Sequence, residues 1–323
     1  MNLFVCYTHL QLVIASRIIA HRNLLPDDVE LFYISKIDND VTKNTLQDMR
    51  EICGKVTFIH MKLKYPLYFP AIFRHFFKRR YDAVFVSSID NILIHFILSR
   101  VSFNHLFTFD DGSANIIPGS IYYQSQKVGV IGKVCRTVLM IQFDMESIKK
   151  TSQYHYTIYD GSKNIIPRTI NIDLLNESDD FFADSDVMET ACNVILGSVY
   201  SEILNAGVDI ESILDQCWDY FIKTERKSYY IPHPRESKTF NMGGIETVNA
   251  KYIAEKEISL LLKKYKKIYL YGFLSSCQYN LICNNRIVNN VFYLDAMTPT
   301  FKNAIQSIPQ SSSFKVIHLD NEI

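Results

Sequence analysis

Met1-Asn2-Leu3-Phe4-Val5-Cys6-Tyr7 begins the chain with an apolar run of strand formers, and residues 10–21 switch at once to helical periodicity. The same exchange repeats outward from it. Strands are expected at 29–35, 56–61, 83–87 and 106–109, interleaved with helices at 42–53, 67–78 and 91–101. Strands that alternate with helices form a parallel sheet covered on both faces. A less regular middle, 116–186, carries one expected helix over 133–149 and the polar run Asn176-Glu177-Ser178-Asp179-Asp180, the best candidate for a linker. The alternation then resumes, with strands at 193–196, 228–231, 267–273, 291–294 and 315–319 and helices at 210–221, 250–264 and 276–284. The chain reads as α/β, with two Rossmann-like domains, 1–175 and 187–323, whose parallel sheets face an interdomain cleft. Ligands of such sheets sit outside the carboxyl ends of the strands, so the residues just past each strand are the ones to inspect.

Composition narrows the classes. A chain of 323 residues with 48% apolar content can bury more than one core. Thirty-four basic side chains balance thirty-four acidic ones, which argues against a nucleic-acid partner. The seven cysteines are scattered and include no CxxC pair, so neither a disulfide framework nor a zinc site is expected; they read as reduced thiols of a cytoplasmic protein. No basic segment followed by an apolar one opens the chain, and no apolar run reaches the roughly 20 residues that cross a bilayer, so no export signal is expected.

Chemistry gathers at the strand ends. Pro234 stops the strand before it, so His233-Pro234-Arg235 presents an imidazole able to donate a proton and a guanidinium able to fork onto phosphate. In Tyr271-Gly272-Phe273-Leu274-Ser275-Ser276 a strand gives way to a helix start, which offers backbone N–H groups and two hydroxyls to an anion. Glu255, on the helix between those strands, is placed to accept hydrogen bonds from ribose hydroxyls. Upstream, Asp110-Asp111-Gly112-Ser113 ends a strand with two carboxylates and a turn, and one of them is expected to act as a general base. Asp38-Asn39-Asp40 and Asp184-Ser185-Asp186 have the spacing of metal-dependent sugar transferases but lie in turn-rich loops, and no metal is assigned. The basic and aromatic run from Phe73 to Arg80 closes a helix and suits peripheral contact with the inner face of a membrane.

At these residues the chain resembles the bacterial lipooligosaccharide sialyltransferases of glycosyltransferase family 52. The likeness is carried by Phe4-Val5-Cys6-Tyr7-Thr8 with Leu10-Gln11, Phe109-Asp110-Asp111-Gly112, His155-Tyr156-Thr157-Ile158 followed by Gly161 and Lys163-Asn164-Ile165, Leu196-Gly197-Ser198, Pro232-His233-Pro234-Arg235 and Tyr252-Ile253-Ala254-Glu255, in that order. The resemblance implies a GT-B architecture, CMP-sialic acid as donor, inversion at the anomeric carbon and no metal or other cofactor. It makes His233 the general acid at the leaving phosphate, gives the cytidine portion to Glu255, and assigns phosphate binding to Ser275 and Ser276. Thr8, Gln11, Gly197 and Ser198 join the substrate-binding set as members of the shared blocks. A homodimer is also implied.

One position departs from the family pattern. Two residues after the Leu-Gly-Ser block the family carries an aspartate assigned as base, and here Tyr200 stands. A tyrosine titrating near pH 10 is a poor base at neutral pH. Asp110, Asp111 or the nearby Glu202 would then take the role. The expected activity is transfer of sialic acid to a terminal galactose-type hydroxyl of a bacterial surface glycan, lipooligosaccharide or capsule. A different nucleotide-sugar donor, or nucleotide and glycan binding without turnover, are the alternatives.

Overall fold

The computed structural model describes residues 1–61, 68–124, 128–175, 189–236, 244–306, 308 and 314–319. The chain divides into two compact units, Met1–Leu174 and Leu175–Ile323. The expected linker 176–180 and the Asp184-Ser185-Asp186 motif lie outside the described residues.

The first unit carries seven strands: β1 (Asn2–Cys6), β2 (Val29–Ser35), β3 (Lys55–His60), β4 (Arg80–Val86), β5 (Ser102–Phe109), β6 (His155–Thr157) and β7 (Thr169–Asn171). They lie in the order β3-β2-β1-β4-β5-β6-β7, every pair parallel. Every residue of β1 and β2 is buried, as it must be when helices cover both faces of a parallel sheet. Phe4 of β1 stacks on Phe85 of β4 with ring centroids 4.3 Å apart. Burying a ring of this kind contributes about 1.5–3 kcal/mol, so the sheet is held by its own side chains as well as by its ladders. The helices α1 (His9–His21), α2 (Asp40–Ile52), α3 (Phe69–Phe76) and α4 (Ile92–Leu98) cover it. Thr8, Asn39 and Asn91 cap α1, α2 and α4 by accepting backbone N–H bonds, which fixes where each helix leaves its strand loop.

The single helix expected over 133–149 is two helices, α5 (Val130–Val138) and α6 (Met145–Thr151). Met140 adopts a left-handed φ of 45° after α5, and Asp144 opens α6 with a reciprocal capping box to Ser147. Those two local preferences outcompete continuation of the helix. Strands β6 and β7 are three residues each, too short to register as an alternating pattern.

The second unit carries β8 (Glu189–Leu196), β9 (Ser228–Ile231), β10 (Glu246–Thr247), β11 (Tyr265–Gly272), β12 (Ile287–Tyr293) and β13 (Phe314–His318) in the parallel order β10-β9-β8-β11-β12-β13. Its helices are α7 (Tyr200–Ile203), α8 (Ile210–Ile222), α9 (Ala254–Leu262), α10 (Ser276–Asn280) and α11 (Pro299–Gln306). The helix expected from 250 begins only at Ala254, because the Glu257 carboxylate takes the N–H groups of Lys251 and Tyr252 at 2.7 and 2.8 Å and holds them in a loop. In each unit the strand order reverses between its first and fourth strands, β1 and β4 in one and β8 and β11 in the other. Sheets of this topology open a crevice at the carboxyl ends of such a pair.

Candidate active site

In the first unit the two adjacent aspartates after β5 have different surroundings. Asp110 is fully buried. Its carboxylate lies 2.8 Å from His155 Nε2 and receives hydrogen bonds from Thr157 Oγ1 at 2.7 Å, the Ile158 N–H at 2.8 Å and Asn164 Nδ2 at 3.2 Å. The block from His155 to Asn164 is thus the cradle of Asp110, and it ties β6 to the end of β5. With four partners and no exposure, Asp110 is a structural anchor of this sheet edge.

Asp111 is only half-buried and turns the other way. Gln11 Nε2 donates to its Oδ1, while Ser88 Oγ at 3.0 Å and the Tyr122 hydroxyl at 2.5 Å donate to Oδ2. Burial pushes its pKa above the ordinary carboxylate value; the three donors oppose that rise and the nearby Asp90 adds to it. Each support is itself fixed. Gln11, wholly buried at the start of α1, accepts the Tyr7 N–H at 2.6 Å and also donates to Ser88 Oγ at 2.9 Å. Ser88, just beyond β4, holds a left-handed φ of 46°, a conformation that costs a non-glycine residue and persists only where its surroundings impose it. Gly112 sits at φ 116°, so the turn that releases Asp111 from β5 needs glycine. Thr8 is exposed, and its hydroxyl accepts the Gln11 N–H at 3.3 Å. Gln11, Ser88 and Asp111 therefore meet where loops leave β1, β4 and β5, at the reversal of strand order.

In the second unit His233-Pro234-Arg235 follows β9, as the proline requires. His233 Nδ1 accepts the Arg235 N–H at 3.1 Å, which places the ring proton of the neutral imidazole on Nε2. Burial and the Arg235 charge hold its pKa below the ordinary histidine value, with Glu202 acting in the opposite direction. The Arg235 guanidinium forks onto Glu202, at 2.8 and 3.3 Å, and both side chains are exposed. Glu202 is thus the ion-pair partner of Arg235. Behind the loop, Glu236 accepts from the Tyr230 hydroxyl at 2.6 Å and from the His233 N–H at 3.0 Å. Burial raises the Glu236 pKa, and those two donors oppose the rise.

Gly197 permits that arrangement. A Cβ there would stand 2.5 Å from Glu236 Oε2, 2.6 Å from the His233 backbone nitrogen and 2.6 Å from the Tyr230 hydroxyl, so only hydrogen fits. Ser198 next to it is buried. Tyr200 is also buried, edge-on to Phe273 with centroids 5.9 Å apart, and burial raises its pKa further above that of a free phenol. It is a core residue, and no base stands at this position.

Across the strand reversal, Gly272 ends β11, and a Cβ there would come within 2.9 Å of Gln278 Oε1. Ser275 uses its hydroxyl as the N-cap of the five-residue α10, accepting the Gln278 N–H at 3.3 Å, while Ser276 is exposed. Leu274 between them takes a left-handed φ of 61°. Glu255 is buried rather than free on its helix surface: Asn280 Nδ2 donates to it at 2.8 Å, and burial raises its pKa. In the Asp38-Asn39-Asp40 loop, Asn39 caps α2 and Asp40 pairs with Lys43 at 3.1 Å. Among the described residues no group of three or more His, Cys, Asp or Glu side chains could hold a metal ion. Sequence reasoning missed Ser88, Tyr122 and Glu236, which belong to no motif. The signal that could have found Ser88 is topological, since it follows the fourth strand of a sheet whose order reverses there.

Solved structures share this architecture. The UDP-GlcNAc 2-epimerase of Methanocaldococcus jannaschii in complex with UDP-GlcNAc and UDP superposes with a TM-score of 0.52 at 11% identity, over 99% of this chain and 89% of that one. UGT89C1 of Arabidopsis thaliana complexed with UDP gives 0.54 at 11% identity, over 98% and 86%. The fold is GT-B, with two parallel-sheet domains. The sequence pattern of glycosyltransferase family 52 matches residues 31–295, and the chain belongs to that family. It is therefore a glycosyltransferase. The CMP-N-acetylneuraminate:β-galactoside α-2,3-sialyltransferase of Pasteurella multocida is 31% identical over 87% of this chain and 87% of its own length. N-acetyllactosaminide α-2,3-sialyltransferases of Haemophilus influenzae and Neisseria meningitidis are each 26% identical, over 96% and 85% of this chain and 97% and 73% of their own lengths.

Proposed function

We propose that this enzyme is an inverting, metal-independent sialyltransferase that moves sialic acid from CMP-sialic acid to a terminal galactose-type hydroxyl of a bacterial surface glycan. The observation that carries the reading is the near full-length similarity to the Pasteurella multocida enzyme, whose name specifies that donor and a β-galactoside acceptor. Asp111 is the base. Asp111 is half-buried and its raised pKa suits it to take the acceptor proton, whereas Asp110 is enclosed. The acceptor oxygen bonds to the anomeric carbon as the bond from that carbon to the phosphate oxygen breaks, through an oxocarbenium-like state. His233 donates its Nε2 proton, or a hydrogen bond, to the departing phosphate. Arg235 offsets the phosphate charge, exchanging Glu202 for it. Residues 272–276 and Glu255 complete the donor site, with Gly197 and Ser198 flanking the His233 loop.

The seven cysteines are all free. No helix among the described residues is long and apolar enough to cross a membrane. The test is product formation from CMP-sialic acid and a lactose-type acceptor, in parallel with UDP-hexoses and with EDTA present. Sialyl-lactose of inverted configuration is expected only from the CMP donor and is unaffected by chelation. Transfer from a UDP-hexose alone would overturn the reading.

A further inference from the structure

Helix α5 leaves a valine stripe in solvent. Val130, Val134 and Val138 recur at i, i+4 and i+8 and are 79%, 57% and 72% exposed, while Cys135, Arg136 and Leu139 are half-buried. β-Branched residues lose χ1 freedom in a helix and gain nothing from water, so an exposed helix face made of them is costly unless something covers it.

Arg100 links the end of this helix to α3. The Arg100 guanidinium lies 5.9 Å over the ring of Phe73 and donates to the carbonyls of Leu139 and Met140, the latter at 2.9 Å. One side chain thus ties the end of α5 to α3. Phe73, Phe77 and Met140 are exposed beside it, and the Phe73 and Phe77 rings lie 5.2 Å apart. Six large apolar side chains are thus exposed on two helices that one arginine joins, more than the single scattered exposures normal on a soluble surface.

The two segments that bear these side chains are basic, with the exposed Asp144 four residues beyond Met140. Residues 68–80 and 128–140 contain Arg74, Lys78, Arg79, Arg80, Lys133 and Arg136 and no acidic residue. Two of these turn inward: Arg79 pairs at 3.0 Å with the buried Glu30, and Arg136 bonds His95 Nδ1 at 3.1 Å. Arg74, Lys78, Arg80 and Lys133 remain exposed.

We infer that the apolar face of α5, with the exposed side of α3, seats on the surface of an anionic lipid bilayer. Valine, phenylalanine and methionine enter the acyl boundary, while the four cations meet headgroup charge. A second copy is the poorer occupant. Two chains joined through the same face by a two-fold axis would bring one cation set against another.

Flotation of the full chain with vesicles tests this without donor or turnover. The protein should float with phosphatidylcholine vesicles containing phosphatidylglycerol, be released as salt rises, and stay behind with phosphatidylcholine alone. Val134→Glu with Val138→Glu should abolish flotation while melting temperature and transfer to a soluble acceptor stay unchanged, since both side chains lie in solvent. Arg74→Ala with Lys133→Ala should weaken binding roughly twenty-five-fold, about fivefold per cation. Wild-type protein that ignores the mixed vesicles, or variants that float as it does, would overturn the inference. So would a wild-type dimer that the valine substitutions split while flotation persists, because a second copy would then own the face.

Discussion

The two units reverse strand order at the same place and furnish that place differently. In both, a non-glycine residue with left-handed φ follows the fourth strand, Ser88 after β4 and Leu274 after β11. In the first unit the crevice is furnished with a carboxylate held by neutral donors, Gln11, Ser88 and Tyr122. In the second it is furnished with a neutral imidazole, an arginine and a glycine that lets two backbones approach. One topology thus yields a site that accepts a proton and a site that receives an anion. The topology supplies position, and the loop residues supply chemistry.

The sharpest break of that contrast is between neighbours. Asp111→Asn should lower kcat by about 10³- to 10⁴-fold, the upper part of the range for general acid–base groups. Because burial raises the folded pKa of Asp111, its contribution to stability is greatest at acid pH and declines as pH rises through that pKa. The amide removes the decline, so at neutral pH the variant should melt no lower than wild type. Asp110→Asn should do the reverse: an amide NH2 in place of a carboxylate oxygen leaves a buried donor of the Thr157, Ile158 and Asn164 cluster without its acceptor, which costs about 1–3 kcal/mol, and melting temperature falls. Equal melting losses in both variants would erase the distinction. His233→Ala ranks next, at about 10²- to 10³-fold in kcat, smaller because Arg235 still faces the leaving group's charge. Unchanged turnover would remove His233 from the reaction.

This contrast shows where reading a sequence ends. The apolar run of β1 and the exchange of strand and helix were legible because burial on both faces leaves a periodic record in residue type. Asp110 and Asp111 were legible as a pair at a strand end, but not which of them is enclosed. That depends on β6, a three-residue strand whose His155 and Thr157 meet Asp110 from 45 and 47 positions away. Glu255 was legible as a carboxylate placed for ribose hydroxyls, but not its burial against Asn280, because α10 packs on α9, a contact no local pattern encodes. Tyr200 looked like a lost base; its place in the core beside Phe273 explains why an aromatic ring suits it.

Glycine separates the units again. Gly197→Ala puts a methyl within 2.6 Å of the His233 backbone nitrogen, which cannot yield as a side-chain tip can. Displacing the loop by about an ångström should cost roughly 10²-fold in kcat/KM, since misplacement of a reacting group has that effect. Gly112→Ala meets nothing nearer than 3.8 Å, and its cost comes from φ 116° alone, about 1–3 kcal/mol of strain. Crystal structures of both variants would show a moved loop in the first and a twisted turn in the second. An unmoved His233 loop in Gly197→Ala would mean that the close approach is incidental.

The smallest expected effects test whether the first unit tunes its base by opposing forces. The Ser88 hydroxyl lowers the Asp111 pKa and the Asp90 charge raises it, so the two substitutions should act in opposite directions. Ser88→Gly keeps the left-handed backbone without strain and deletes one donor. The Asp111 pKa then rises, and the acid limb of the kcat/KM profile moves to higher pH, because the base must be ionised to work. Asp90→Asn removes a like charge, and the limb moves to lower pH. At the pH optimum each should change the rate by no more than about fivefold, the worth of one net hydrogen bond. A merely structural role for Ser88 or Asp90 would lower the whole profile without moving its limb, and shifts of the same sign would mean that the limb reports a group other than Asp111.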